Sequence, residues 1–202
     1  MKRACLVVVL IAACSAGDPV EDEVFTVTEV LIRNDGTNDV KQTTITAGEQ
    51  RAALAWRILH DAAEATGAAL TAKPTVPGDC FDATVWLFDG QGLWGNQLCL
   101  GFAGDPGQLG YIHLSELVHH FDVQPGPLGT VQYVPVGWDG KAQSMVLWLR
   151  YEASVYVDGI SNPIRHFVPD MNHGFAQQFE ITAYSSALRI TYYIFPDAIS
   201  IP

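Results

Sequence analysis

A chain of 202 residues, 49% apolar and 16% charged, has enough hydrophobic material to bury a core and lies outside the composition of disordered segments. Acidic residues outnumber basic ones 22 to 11, for a formal net charge of −11, so no positive field exists to neutralise phosphates and nucleic-acid binding is the first class excluded. Four Lys beside 18 Gly and 11 Pro point to many turns and few long solvated helices, a profile of short strands rather than bundles.

Lys2 and Arg3 precede an apolar run from Cys5 to Ala13, far shorter than the roughly 20 residues a membrane-spanning helix needs, which reads as a secretory signal. The run ends Ile11-Ala12-Ala13-Cys14, which resembles the bacterial lipobox. That resemblance implies a signal peptide over residues 1–13, a lipid on Cys14 as the first mature residue, and attachment to the membrane through that lipid. With Ser15 in second position it also implies an exported lipoprotein of the outer membrane or cell surface. An ordinary signal peptide with a coincidental Cys is the competing reading. Residues 14–23 are small, polar and acidic, too poor in apolar groups to pack, as suits a tether. Removing Lys2 and Arg3 with the signal leaves 9 basic against 22 acidic side chains, a net −13.

Val24 to Ile32 alternates as a strand, Asn34-Asp35-Gly36 is a turn, and Val40 to Ile45 is a second strand, predicting a hairpin. Thr46 and Glu49 form a capping box, and Leu54, Ala55, Ile58, Leu59 and Ala62 share one apolar face as far as Gly67. The expected helix runs from Thr46 to about Thr66 and packs Leu54, Ile58 and Leu59 against the β region. Lys73 to Asp79 (KPTVPGD) breaks the pattern, so a boundary is expected at Cys80, with hairpin and helix over 24–79 and a β domain over 80–202.

Beyond it, strands are predicted at Ala83–Phe88, Asn96–Phe102, Tyr111–Leu114, Thr130–Val136, Met145–Arg150, Ser154–Val157, Ile164–Val168 and Leu188–Phe195. Ser115 to Phe121 reads as one or two helical turns, although its amphipathicity does not decide it. The fold class expected is mainly β, α+β overall: a Greek-key β-sandwich preceded by a β-hairpin and one helix. Cys5 leaves with the signal and Cys14 is taken by lipid, so Cys80 and Cys99 remain to pair in an oxidising compartment. A metal or redox pair is the alternative, but CxxC spacing and a nearby third ligand are missing.

The two halves of the β region repeat a pattern. Phe88 is followed by Leu93, Trp94 and Gly95, and Trp138-Asp139-Gly140-Lys141-Ala142-Gln143-Ser144 later leads into a strand. Tyr156 follows Ala153-Ser154-Val155, and Ile181-Thr182-Ala183-Tyr184-Ser185-Ser186 leads into another. Over about residues 80 to 195 this resembles the bacterial βγ-crystallin-like domain. Each of that family's Greek keys carries an aromatic, four residues, a second aromatic, one residue and a glycine, then a loop of two Asn/Asp, two residues and two Ser/Thr. Leu93 stands for the second aromatic of the first motif, and Pro163 stands where the second glycine belongs. An unrelated β-sandwich is the other reading. The resemblance implies calcium bound by Asp139, Ser144, Ser185 and Ser186 through hard oxygens. Gly140, Gln143, Ile181 and Thr182 replace the remaining donors, so one weak site is the most it implies, and serines that merely cap strand ends are the plainer reading.

Other chemistry is thinly supported. His113, His119 and His120 lie close together, but HExxH is absent and neighbours on a regular strand face opposite ways, so they read as a polar surface loop. His166 and His173 flank Asp170 without a nucleophile elbow. Asp105, Glu116, Asp122 and Asp170 offer carboxylates for glycoside hydrolysis, with no reason in the sequence to choose two. Trp86, Trp94, Trp138 and Trp148 read as core more readily than as sugar platforms. The expectation is a non-enzymatic envelope module, binding or structural, with an unidentified protein or glycan partner. The alternatives are a peptidase-inhibitor-like domain, with Asp89 to Trp94 as its exposed loop, and a surface hydrolase.

Overall fold

The computed structural model describes residues 23–66, 80, 83–103, 112–127, 130–147, 151–156, 163, 165–167, 177–181 and 187–192. The signal segment, Cys14, the tether before Glu23, Gly67 and the Lys73–Asp79 stretch lie outside them. Alternation in the sequence builds strand β1 (Val24–Ile32), which turns and returns as β2 (Asn38–Thr46) with Val24 opposite Thr46. In the turn, Asp35 accepts the Thr37 amide at 2.9 Å and Gly36 donates to the Arg33 carbonyl at 3.0 Å. The capping box starts helix α1 (Ala47–Thr66): the Thr46 amide donates to Glu49 Oε2 at 2.7 Å, and the Glu49 amide donates to Thr46 Oγ1 at 3.2 Å.

The helix buries a different stripe from the one expected. Ala47, Gln50 and Ala53 are buried and Leu54 packs beside them, whereas Leu59 is 62% exposed. Gln50 misleads a hydropathy count because its Nε2 finds acceptors inside, donating to the Gly95 carbonyl at 2.7 Å and to Gln97 Oε1 at 3.3 Å, while its own Oε1 is buried without a partner.

The remaining strands are β3 (Val85–Phe88), β4 (Gln97–Phe102), β5 (Ile112–His113), β6 (Val118–Pro125), β7 (Val131–Gly137), β8 (Ser144–Leu147), β9 (Tyr151–Tyr156), β10 (Arg165–Phe167), β11 (Gln177–Glu180) and β12 (Ala187–Tyr192). Every predicted strand is present among the described residues, Val24–Ile32 with the expected ends, and β6 and β11 are additional. The helical reading of Ser115–Phe121 is corrected: only Leu114–Glu116 forms a 3-10 turn, and the chain is extended from Val118. From His120 to Pro125 polar and apolar residues alternate, a period of two that a helix cannot satisfy.

One sheet has the order β11-β8-β3-β4-β1-β2 and a second β10-β9-β12-β5, while β6 and β7 form a separate two-stranded ribbon. The fold is therefore a mainly β sandwich. The first unit is β3, β4, β5 and β8, the second β9, β10, β11 and β12. In each, the fourth strand returns to lie beside the first, as in a Greek key, and the third crosses into the other unit's sheet: β5 joins β12 and β11 joins β8. The ribbon is inserted between the third and fourth strands of the first unit. The composition break at Cys80 is not a break in the sheet, since β1 runs parallel to β4 with Val27 opposite Gln97. The hairpin thus extends the sandwich rather than preceding it.

Alternate side chains of the larger sheet enter two cores. Val85, Leu87, Leu98, Leu100, Met145 and Leu147 face Ala153 and Val155 of the second sheet, while Trp86, Phe88, Cys99 and Val146 share a cluster with Ala47 and Leu54 of α1. Cys80 and Cys99 are disulfide-bonded there, with Cα atoms 5.7 Å apart. Replacing both by Ala, or reducing the bond, is expected to lower the free energy of unfolding by about 3 kcal/mol on the chain-entropy model. A urea titration of the full chain, oxidised against reduced, measures it, and coincident midpoints would refute it.

Candidate functional site

The β3–β4 connection is a folded turn rather than an open loop. The Gly90 amide donates to the Trp94 carbonyl at 2.9 Å, and Leu93, with φ of +63°, turns its side chain into the helix-side cluster. Ser144, fully buried at the start of β8, pins the turn from below: its Oγ donates to the Gly90 carbonyl at 2.6 Å and accepts the Leu93 amide at 3.0 Å. Gly95 has a φ of +98°, and a Cβ there would lie 2.0 Å from Asp89 Oδ1, so only glycine fits. Within Asp89–Trp94, the segment expected as an inhibitor loop, Gln91 and Gly92 are exposed at the tip while Leu93 is buried.

These contacts bear on the calcium donors. Ser144 is spent on the turn, and Ile181, at a position where the family places an acidic residue, is buried in the main core with its amide donating to the Gln143 carbonyl at 2.7 Å. Asp139 is half-buried beside Gly137, and Ser185 and Ser186 lie outside the described residues. Among the described residues no three His, Cys, Asp or Glu side chains converge as metal ligands. Trp86 and Trp138 are core, Trp94 packs edge-on against Phe25 at 4.9 Å, and Trp148 lies outside the described residues. Asp105, Asp170 and His173 also lie outside them.

The structure brings together a group that strict alternation had separated. His119 is the extra residue of a bulge, since Val118 pairs with Gly137 and His120 with Val136. Broken alternation lets the two rings meet with their Nδ1 atoms 2.6 Å apart. His119 Nε2 lies 2.8 Å from Asp89 Oδ2, and His120 Nε2 lies 3.1 Å from Asp122 Oδ1. The result is a chain, Asp89–His119–His120–Asp122, running from the folded turn onto the ribbon. His119 also packs edge-on over Trp138 at 4.6 Å. Asn96 ties Asp89 into the sheet: its amide and its Nδ2 each donate to that carboxylate at 2.8 Å, and its Oδ1 accepts the Thr26 amide of β1 at 2.9 Å. Burial alone would raise the Asp89 pKa, but hydrogen bonds from His119 and Asn96, together with the charge of His119, outweigh it and hold the pKa below the ordinary 3.8.

The ribbon beyond this chain is two-faced. Phe121, Val123 and Pro125 on β6 lie opposite Pro135, Tyr133 and Val131 on β7, so these six share one face and none carries a charge. All are exposed, Tyr133 at 69% and Val123 at 66%. The opposite face carries His120, Asp122, Gln124, Gln132, Val134 and Val136, the two valines half-buried. Sequence reasoning found β7, expected at Thr130–Val136, but missed β6, although the alternation from His120 to Pro125 signals it. No family model, no curated protein and no solved structure matches the chain.

Two outcomes are expected. Ser144→Ala leaves the buried Leu93 amide without its acceptor and should cost about 1–3 kcal/mol in urea titration; a loss within error of zero would remove Ser144 as the pin of the turn. Asp89 has a depressed pKa in the folded state, so its stabilisation is complete above the ordinary aspartate value of 3.8 and is lost as pH falls through the lower folded value. Asp89→Asn should therefore destabilise the protein at pH 7 and cost much less at pH 2; an equal cost at both would show that the charge has no part.

Proposed function

We propose that the chain is a lipid-anchored, non-enzymatic binding module of the cell envelope, a degenerate βγ-crystallin-like domain whose contact element is the β6–β7 ribbon. The observation that carries this reading is the fully apolar, solvent-facing side of that ribbon. Large contiguous exposed apolar surface is uncommon on monomers and marks interaction sites, and here it is held out by a polar chain at its root. The crystallin-like part of the reading draws support from two Greek keys with exchanged strands, a left-handed Gly95 in the first folded hairpin, and Ser144 against it. Calcium does not enter this reading: Ser144, one of the four residues expected to bind it, is taken up by the turn. Cys14 supplies the membrane attachment.

The test uses the full chain expressed in a bacterium with its own N-terminus. A photo-cross-linking residue at Tyr133 is expected to yield a protein adduct on illumination, and mass spectrometry is expected to find a lipid on Cys14. Absence of any protein adduct from the ribbon would overturn the contact-element reading; an unmodified Cys14 would overturn the anchor.

A further inference from the structure

We propose that the His119–His120 pair is an acid-sensitive joint at the root of the β6–β7 ribbon: neutral conditions hold the two rings together, and acidification parts them by turning His120 out into solvent. The joint stands on the contacts alone; that it regulates binding rests on reading the ribbon as the contact element.

The bulge in β6 places the two Nδ1 atoms 2.6 Å apart, with the ring centroids 4.9 Å apart and the ring planes at 79°. A hydrogen bond between two ring nitrogens needs one N–H and one bare nitrogen, whereas an imidazolium carries N–H at both positions. Two imidazolium rings would therefore set N–H against N–H at this spacing and bring like charges together. The contact survives only while one ring stays neutral. Imidazole is the side chain whose charge ordinarily changes between about pH 5 and 8, so a contact of this kind responds within that range. The parted form accepts one more proton than the closed form, and its share rises as pH falls.

The surroundings decide which ring moves. His119 is wedged: its side chain is 8% exposed, it packs edge-on over Trp138 at 4.6 Å, and its Nε2 lies 2.8 Å from Asp89, which Asn96 holds in the sheet. The side chain of His120 is 43% exposed, and its other partner, Asp122, is exposed as well. Water replaces an exposed hydrogen-bond partner at little net loss, so His120 leaves and His119 stays. Asp89 faces the joint from the β3–β4 turn and Asp122 from within β6. At the foot of β7, Asp139 Oδ1 lies beside Gly137, and exposed Glu116 follows Ser115 in the 3-10 turn. His113 on β5 is exposed, and no Lys or Arg occurs from Tyr111 to Gly140, Lys141 being the first cation beyond. This stretch thus supplies no fixed positive charge to stand in for the protons that part the rings. Parting removes the side-chain tie across the bulge but leaves the close approach of Gly137 to Ser115, so the ribbon loosens at His119–His120 without detaching.

NMR on the full chain tests the joint. A nuclear Overhauser effect between the ring protons of His119 and His120 is expected at about pH 8 and is expected to be lost at about pH 5, while the contact of His119 with Trp138 persists. Amide exchange at Val118–His120, corrected for the chemical rate at each pH, should quicken over the same range, with the amides of β3 unchanged as the control. His120→Gln should abolish that response, and His113→Gln should keep it. Retention of the Cys80–Cys99 disulfide on a non-reducing gel checks that both variants fold, and the wild-type Overhauser effect decides the matter if they do not. A ring contact that persists at the lower pH or is absent at both, exchange that stays level, or a pH response that survives His120→Gln overturns the joint. None of these outcomes touches the contact-element reading, which cross-linking at Tyr133 tests separately.

Discussion

Strand β3 is covered on both faces, and the rest of the molecule is arranged to keep it so. Val85 and Leu87 look into the sandwich while Trp86 and Phe88 look toward the helix, and all four are buried. A single sheet against β9 and β12 would leave Trp86 and Phe88 in water, at a cost of roughly 1.5–3 kcal/mol for a side chain of that kind. Helix α1 supplies the missing layer, carried there by the hairpin β1–β2, which extends the same sheet. The parallel pairing of β1 with β4 brings the start of α1 over the strand, and the Thr46–Glu49 capping box starts the helix there.

The polar groups inside this frame fix geometry more than they add stability. Ser144 holds the β3–β4 turn, and the turn holds Asp89. Asp89 in turn binds both Asn96, on the side of β1, and His119, on the side of the ribbon. At the ribbon's root, Gly137 lies so close to Ser115 that a Cβ would come within 2.6 Å of its backbone, and Trp138 donates its amide to the Leu114 carbonyl at 2.8 Å. The ribbon is therefore set at a defined place by backbone packing below and the Asp89–His119 contact above.

What the sequence disclosed depended on whether local pattern and tertiary role agreed. Val24–Ile32 reads as a strand because Phe25 and Val27 enter the helix-side cluster while Val30 and Ile32 enter the sandwich, and Thr46 with Glu49 caps because the pair is local; both were legible. Leu59 was misread because a helical face was assumed to be chosen by Leu and Ile, whereas packing chose Ala47, Gln50 and Ala53, and a buried glutamine does not look like core. His119 and His120 were separated by a rule valid for regular strands, and one extra residue in β6 cancels that rule. The crossing of β5 and β11 between sheets leaves no local mark, since strand exchange is a property of which partner lies nearby in space.

That exchange has a consequence for the order in which the chain becomes a protein. The larger sheet is complete only once β11 has left the ribosome, and the second only once β12 has, because β8 must wait for β11 and β5 for β12. A nascent chain carrying only the first Greek key has an open edge and no second layer, and pairings of such long sequence separation form slowly. For a chain read as exported, delay is useful: a polypeptide that cannot close its sandwich early stays threadable through a membrane channel, and it acquires shape only where its cysteines can be oxidised.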